Sequence, residues 1–347
     1  MESNETRNST AIGLDVGTSR IVVARQAGQG FQYQAQLNAF VSIPYLKMTE
    51  AVLQKENVPH VVDGERIVVH GNESEALANF LQVETRRPMD KGFLNPQEPD
   101  NLARLSHIIG SLCGKSDENH LVYFSVPAAP NGDSDSLIYH EATLKQVLEN
   151  LGYRAKSITE GLAVVYAELE DSNYTGLGIS CGGGLCNVCL SYLSIPVLSF
   201  SIPKAGDFID TSSAAVTGDR ATRVRSIKEE SFRFNGHFSE KMHQVISVYY
   251  DDMIRALADA LRDQLSKCRG LPKLARPIPL VLSGGSALPG GFRDRFEKVL
   301  SESNLPISFS EIRLAGNPLY STAAGALIAA MIEPRGRTSA SIDYSTK

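Results

Sequence analysis

Apolar runs broken by tight glycine turns occur in both halves of the chain. They constrain its fold more than any other feature. The first is Ala11 to Arg25, AIGLDVGTSRIVVAR. Ile12 and Leu14 lead into Asp15, and Ile21, Val22 and Val23 follow a turn of Gly17, Thr18 and Ser19. The stretch reads strand, turn, strand. The second is Tyr174 to Tyr192, YTGLGISCGGGLCNVCLSY, with Gly182, Gly183 and Gly184 at its turn. Glycine lets backbone amides come close to an anion, since it lacks a Cβ and tolerates positive φ. Successive amides in such a turn make an anion-binding concavity. Asp15, ending the first strand, is suited to hold Mg²⁺ through water, because Mg²⁺ keeps several waters and takes few carboxylates. A hairpin without a ligand is the plain alternative for either turn. Two such turns facing each other would grip the two ends of a polyphosphate.

A chain of 347 residues is too long for one compact core and implies two domains. With net charge −5 and pI about 5.9, nothing points to nucleic acid as a partner. No apolar run approaches the roughly 18 residues that span a bilayer. The first ten residues, MESNETRNST, are polar, without the apolar core of a signal peptide, and read as a disordered tail. The cysteines are Cys113, Cys181, Cys186, Cys189 and Cys268. Their odd count and apolar settings fit reduced thiols in a cytoplasm. The trio at 181, 186 and 189 lacks a fourth ligand nearby and reads as small apolar residues rather than a metal site.

Between these turns the pattern alternates. Phe31 to Ala39 reads as a strand, and Ser42-Ile43-Pro44 as a break. Glu65 to His70 reads as a strand after an Asp63-Gly64 hairpin turn. Asn72 to Leu81 reads as a helix with Ala76, Leu77 and Phe80 on one side. Residues 84–100, charged and with three prolines, read as loop. Then come a helix over Leu102 to Cys113, a buried strand over Leu121 to Val126, and a helix over Ser136 to Leu151. A strand over Arg154 to Ile158 and a helix over Glu160 to Leu169 follow. Such alternation implies a sheet covered by helices. The second half gives a strand over Val197 to Ile202 and helices over Asp207 to Val216 and Arg220 to Glu230. A long helix over Phe238 to Lys267 carries Ile246, Tyr250, Met253, Leu257, Leu261 and Leu265 as one stripe. A strand ending at Gly284-Gly285 follows, where bare backbone can lie against a planar base. After it come a helix over Gly291 to Ser301, a short strand over Ile307 to Phe309, and a small-residue helix over Tyr320 to Met331. Residues 333–347 read as a flexible tail.

The order of these pieces resembles the actin, heat-shock ATPase and sugar-kinase superfamily, and within it bacterial actins of the MreB and MamK kind. Ile12 to Thr18 looks like the first phosphate motif, Ile158 to Ala163 the first connecting motif, and Gly178 to Val188 the second phosphate motif. Lys204 to Asp210 is similar to the segment opening a helix of the second half. Arg225 to Glu229 is similar to the ribose and adenine wall. Leu271 to Gly285, with its Pro272-Lys273-Leu274, looks like the adenosine motif, and Pro318 to Leu327 the second connecting helix. The motifs are weak singly and strong in this order.

The resemblance implies an α/β, two-domain actin-like ATPase fold, each half a ribonuclease-H-like sheet with flanking helices and an inserted subdomain. Domain I would run over 11–160 with an insert near 33–95, and domain II over 161–332 with an insert near 208–275. A cleft between them would hold ATP or ADP with Mg²⁺. Asp15 and Glu160 take the catalytic positions, Asp15 beside the metal. Gly17, Thr18, Ser19, Arg20, Gly182, Gly183, Gly184, Gly206, Asp207, Lys228, Glu229, Gly284, Gly285 and Ser286 take the nucleotide-binding ones. From the residues alone, Lys228 and Glu229 are most simply solvated charges, and Glu160 a helix-start acid favoured by the dipole. The chain departs from the family at Ser180 and Asn187, where the second phosphate motif begins with Asp and ends with Asp or His. Loss of a carboxylate there slows phosphoryl transfer. Two functions follow: an ATPase that assembles head to tail into cytoskeletal filaments, or a non-polymerising nucleotide-binding switch or chaperone-like reactivating factor with weak or no ATPase; a sugar kinase comes a distant third, since no sugar-binding insert is seen.

Overall fold

The computed structural model describes residues 11–129, 134–234, 236–270 and 276–333. The N-terminal tail, residues 334–347 of the C-terminal tail, and Leu271 to Leu274 of the expected adenosine motif lie outside the described residues.

The first half opens as a three-stranded antiparallel meander: β1 (Ile12–Val16), β2 (Arg20–Ala27) and β3 (Gly30–Leu37). A small subdomain follows. It holds β4 (Phe40–Pro44), α1 (Lys47–Lys55), β5 (His60–Asp63), β6 (Arg66–His70), α2 (Asn72–Leu81) and the two-residue strands β7 (Met89–Asp90) and β8 (Phe93–Leu94). The chain then returns through α3 (Asn101–Cys113), β9 (Leu121–Val126), α4 (Ser134–Asn150), β10 (Arg154–Thr159) and α5 (Glu160–Glu168). β9 and β10 add in parallel beside β1, giving the order β10-β9-β1-β2-β3.

The second half repeats that topology. β11 (Gly176–Cys181), β12 (Cys186–Tyr192) and β13 (Ile195–Ile202) form the meander. Helices α6 (Gly206–Thr217), α7 (Ala221–Glu230) and α8 (Lys241–Lys267) take the place of the small sheet. β14 (Ile278–Ser283) and β15 (Phe309–Leu314), with α9 (Phe292–Ser301) between them, complete the order β13-β12-β11-β14-β15. Helix α10 (Ser321–Ile332) runs back against β1 and α5 and joins the halves. Each sheet has its own core, around Leu14, Leu105 and Phe124 in one half and Leu257, Leu280 and Phe296 in the other.

The α8 stripe is buried as its period predicts, from Ile246 to Leu265. At Gly13 a Cβ would collide with Ala323 O of α10, and at Gly325 with Ala163 O of α5. Small residues there let one helix lie on strand and helix backbone together.

Several expectations give way. The break at Ser42 to Pro44 is part of strand β4, paired antiparallel with β6, and Pro44 sits at its end where a missing N–H is harmless. Helix α1 goes unread in the sequence because it buries no residue. On α2 the packed face is Ser74 and Ala78, while Phe80 stands 82% exposed. The last strand lies later than expected, at Phe309–Leu314, because pairing with β14 fixes a segment whose own pattern is mixed.

Candidate functional site

The two glycine turns meet. The first closes with Gly17 N donating to Arg20 O at 3.0 Å, and Asn38 Nδ2 donating to Gly17 O at 3.0 Å steadies it. The second closes with Gly182 N donating to Leu185 O at 2.9 Å. A side chain at Gly183 would collide with Ser19 Oγ, and one at Gly184 with Thr18 Oγ1 and, at 2.7 Å, with Gly92 N. Thr18 Oγ1 itself accepts from Gly92 N at 2.9 Å. The carbonyls of the second turn face α6: Gly206 N donates to Gly182 O at 3.1 Å and Asp207 N to Gly183 O at 2.8 Å. Ser286 Oγ also donates to Gly182 O, at 2.8 Å. The amides are left over. Those of Thr18, Ser19, Gly183 and Gly184 donate to no acceptor among the described residues. Unpaired amides in two facing turns form the kind of concavity that accepts an anion.

Asp15 and Glu160 lie at the base of this cleft, at the end of β1 and the start of α5. Ser125 Oγ donates to Asp15 Oδ1 at 2.7 Å and Ser180 Oγ to Glu160 Oε2 at 3.0 Å. Burial raises the affinity of Asp15 for its proton, with Ser125 opposing. Burial raises that of Glu160 more strongly, then the neighbouring Asp15 charge, with Ser180 and Asn187 opposing. Among the described residues neither carboxylate has a cation within ion-pair distance, and no third His, Cys, Asp or Glu joins them, so water would have to supply the other ligands of a metal ion. Half-buried, unpaired carboxylates of this kind fit a divalent ion held partly through water. Asn187, whose Oδ1 accepts from Ala128 N at 2.9 Å, keeps Nδ2 without a well-formed bond. The residues present therefore fit both a polyphosphate and Mg²⁺.

All the sequence-derived site residues line this one cleft: Asp15, Gly17 to Arg20, Glu160, Gly182 to Gly184, Gly206, Asp207, Lys228, Glu229 and Gly284 to Ser286. Lys228 is not a solvated charge. It is 6% exposed, its Nζ 2.7 Å from Asp210 Oδ1 and donating to Gly206 O at 3.1 Å. Glu229 bridges the halves, accepting from Arg20 Nη2 at 2.8 Å. Gly284 has φ +87°, and a Cβ there would also strike Cys181 O, so its bareness serves packing first. Sequence reasoning missed Gly92 and Arg87, both in the proline-rich segment before α3, where no periodicity marks them.

The cleft as it stands encloses about 100 Å³. A larger cavity of about 750 Å³ lies between Tyr123, Leu162, Tyr166 and Ile332. It has no glycine turn, and its two carboxylates are already engaged, Glu141 by Ser157 and Glu333 by Lys156 and Tyr123, so the chemistry points to the smaller one.

Comparison with solved structures places this architecture. A MamK double helical filament superposes with TM-score 0.69 at 16% identity, covering 93% of this chain and 99% of that one. A non-polymerising MamK mutant bound to AMPPNP gives 0.57 at 16% identity, with 92% and 98% covered. The ethanolamine utilization protein EutJ from Carboxydothermus hydrogenoformans gives 0.55 at 14% identity, with 91% and 89% covered. No curated protein sequence matches significantly. The fold is thus the two-domain actin-like one. Residues 10–330 match the Volactin family model, and the chain belongs to that family.

Proposed function

We propose that this chain binds ATP or ADP with Mg²⁺ between its two glycine turns and assembles head to tail into filaments, with slow hydrolysis. The observation that carries the binding is the set of four idle turn amides above a half-buried carboxylate pair. Those amides would take phosphate oxygens, while Lys228, Glu229 and Gly284 to Ser286 frame the nucleoside. Asp15 and Glu160 would hold Mg²⁺, which when bound neutralises phosphate charge. Ser125 and Ser180 fix the orientation of these carboxylates. Glu160, with its proton affinity raised towards neutrality, is suited to accept a proton from water. Turnover is slow because position 180 carries Ser where the superfamily places a carboxylate.

The likeness to the MamK filament over nearly the whole of both chains supports assembly. Contacts that repeat without closing generate filaments. Ser180 favours a second reading, a nucleotide switch that stays monomeric. Sedimentation separates the two. Filaments that pellet with ATP and not with ADP are expected; a monodisperse monomer with every nucleotide would overturn assembly. The free, mostly buried thiols support a cytoplasmic setting. Among the described residues no helix is long and apolar enough to cross a membrane.

A further inference from the structure

Arg87 lies in the segment between α2 and α3 and reaches across the cleft. Its Nη1 donates to Asp207 Oδ1 at 2.6 Å and to Ser19 Oγ at 3.3 Å. Ser19 belongs to the first turn, and Asp207 is tied through its amide to Gly183 of the second. One mostly buried guanidinium therefore touches the supports of both turns. Its Nε and Nη2 donate to nothing among the described residues. Arg87 lines the pocket next to the cleft, which shares Asp207 and Asp210 with it, whereas Arg20 (with Glu229), Arg225 (with Glu75) and Lys228 (with Asp210) line the cleft itself. A guanidinium fork matches phosphate oxygens two at a time, which an ammonium does not.

We propose that Arg87 reads the terminal phosphate of a bound nucleoside triphosphate, exchanging its bond to Asp207 for phosphate oxygens, and so sets a preference for ATP over ADP. This rests on the nucleotide reading above. The exchange has a mechanical consequence. Arg87 belongs to the small subdomain of the first half and Asp207 to α6 of the second, so arrival of the phosphate unfastens one bridge between the halves.

Equilibrium titration of the full chain with Mg·AMPPNP and with Mg·ADP tests it. Arg87→Gln is expected to weaken AMPPNP binding by roughly 10- to 150-fold, the worth of hydrogen bonds to a charged group. ADP binding should change by less than about threefold, which also shows that the variant folds. Arg87→Lys, keeping charge without the fork, should fall between. Equal losses for both nucleotides, or unchanged AMPPNP binding, overturn the role of Arg87 and leave the nucleotide reading standing. A wild-type chain that takes up neither nucleotide overturns that reading itself.

Discussion

Asp15 and Glu160 sit half-buried side by side with hydroxyl donors, and among the described residues no cation pairs with either. Such a pair favours its protonated forms, so the folded chain binds protons that the unfolded chain has already released. The sign follows. The pair is neutral and harmless below the ordinary carboxylate range near pH 4, and stability falls as pH rises through the raised values. Glu160→Gln removes the charge that is hardest to bury. In nucleotide-free protein with chelator, the variant should match the wild type near pH 4. It should gain on the order of 1–3 kcal/mol by pH 8, read from denaturant unfolding. A stability difference that stays flat with pH would contradict this account of the pair. The residue scale also shows where sequence stops being legible. Asp15 and the glycines announce themselves by local pattern. The burial of Lys228 does not, because its partner Asp210 lies on another helix. Arg87 is masked by the charges and prolines around it.

Elements with a strong apolar signal were readable: the paired strands around both turns are near-continuous apolar runs, and α3 and α8 follow a period of 3.6. Elements without such a face were not. Helix α1 buries nothing, and β15 is an edge strand with charges in its run. Helix α10 is a third kind, legible from its Ala and Gly content as a close packer. Its Gly325 has helical φ, so alanine there would ordinarily stabilise by about 0.5–1 kcal/mol. Here a Cβ would run into the backbone carbonyl of Ala163 on α5. Gly325→Ala should therefore destabilise by about 2 kcal/mol or more, as overpacking does. Urea unfolding of the two proteins decides it, and a more stable variant would mean that α10 and α5 have room to spare.

At the scale of the molecule, two sheets of the same strand order face each other, and the cleft between them is shut by bonds that cross it. Arg20 with Glu229, Arg87 with Asp207, Arg225 with Glu75 and Thr222 with Glu84 all join the halves. The duplication was legible in the recurring turns, whereas these bonds were not, because each pairs residues far apart in the chain. The cleft holds about 100 Å³, less than the roughly 300–1,000 Å³ of small-molecule pockets, so a bound nucleotide would fit it more easily with the halves further apart. The central claim is that the two glycine turns hold it. Titration of the wild-type chain and of Gly183→Val with Mg·AMPPNP tests that most directly, since a valine at 183 projects toward Ser19 of the facing turn. The account predicts one site per wild-type chain, saturating below about a millimolar, and its loss in a folded variant. No saturation of the wild type at that concentration, or equal binding by Gly183→Val, would contradict it.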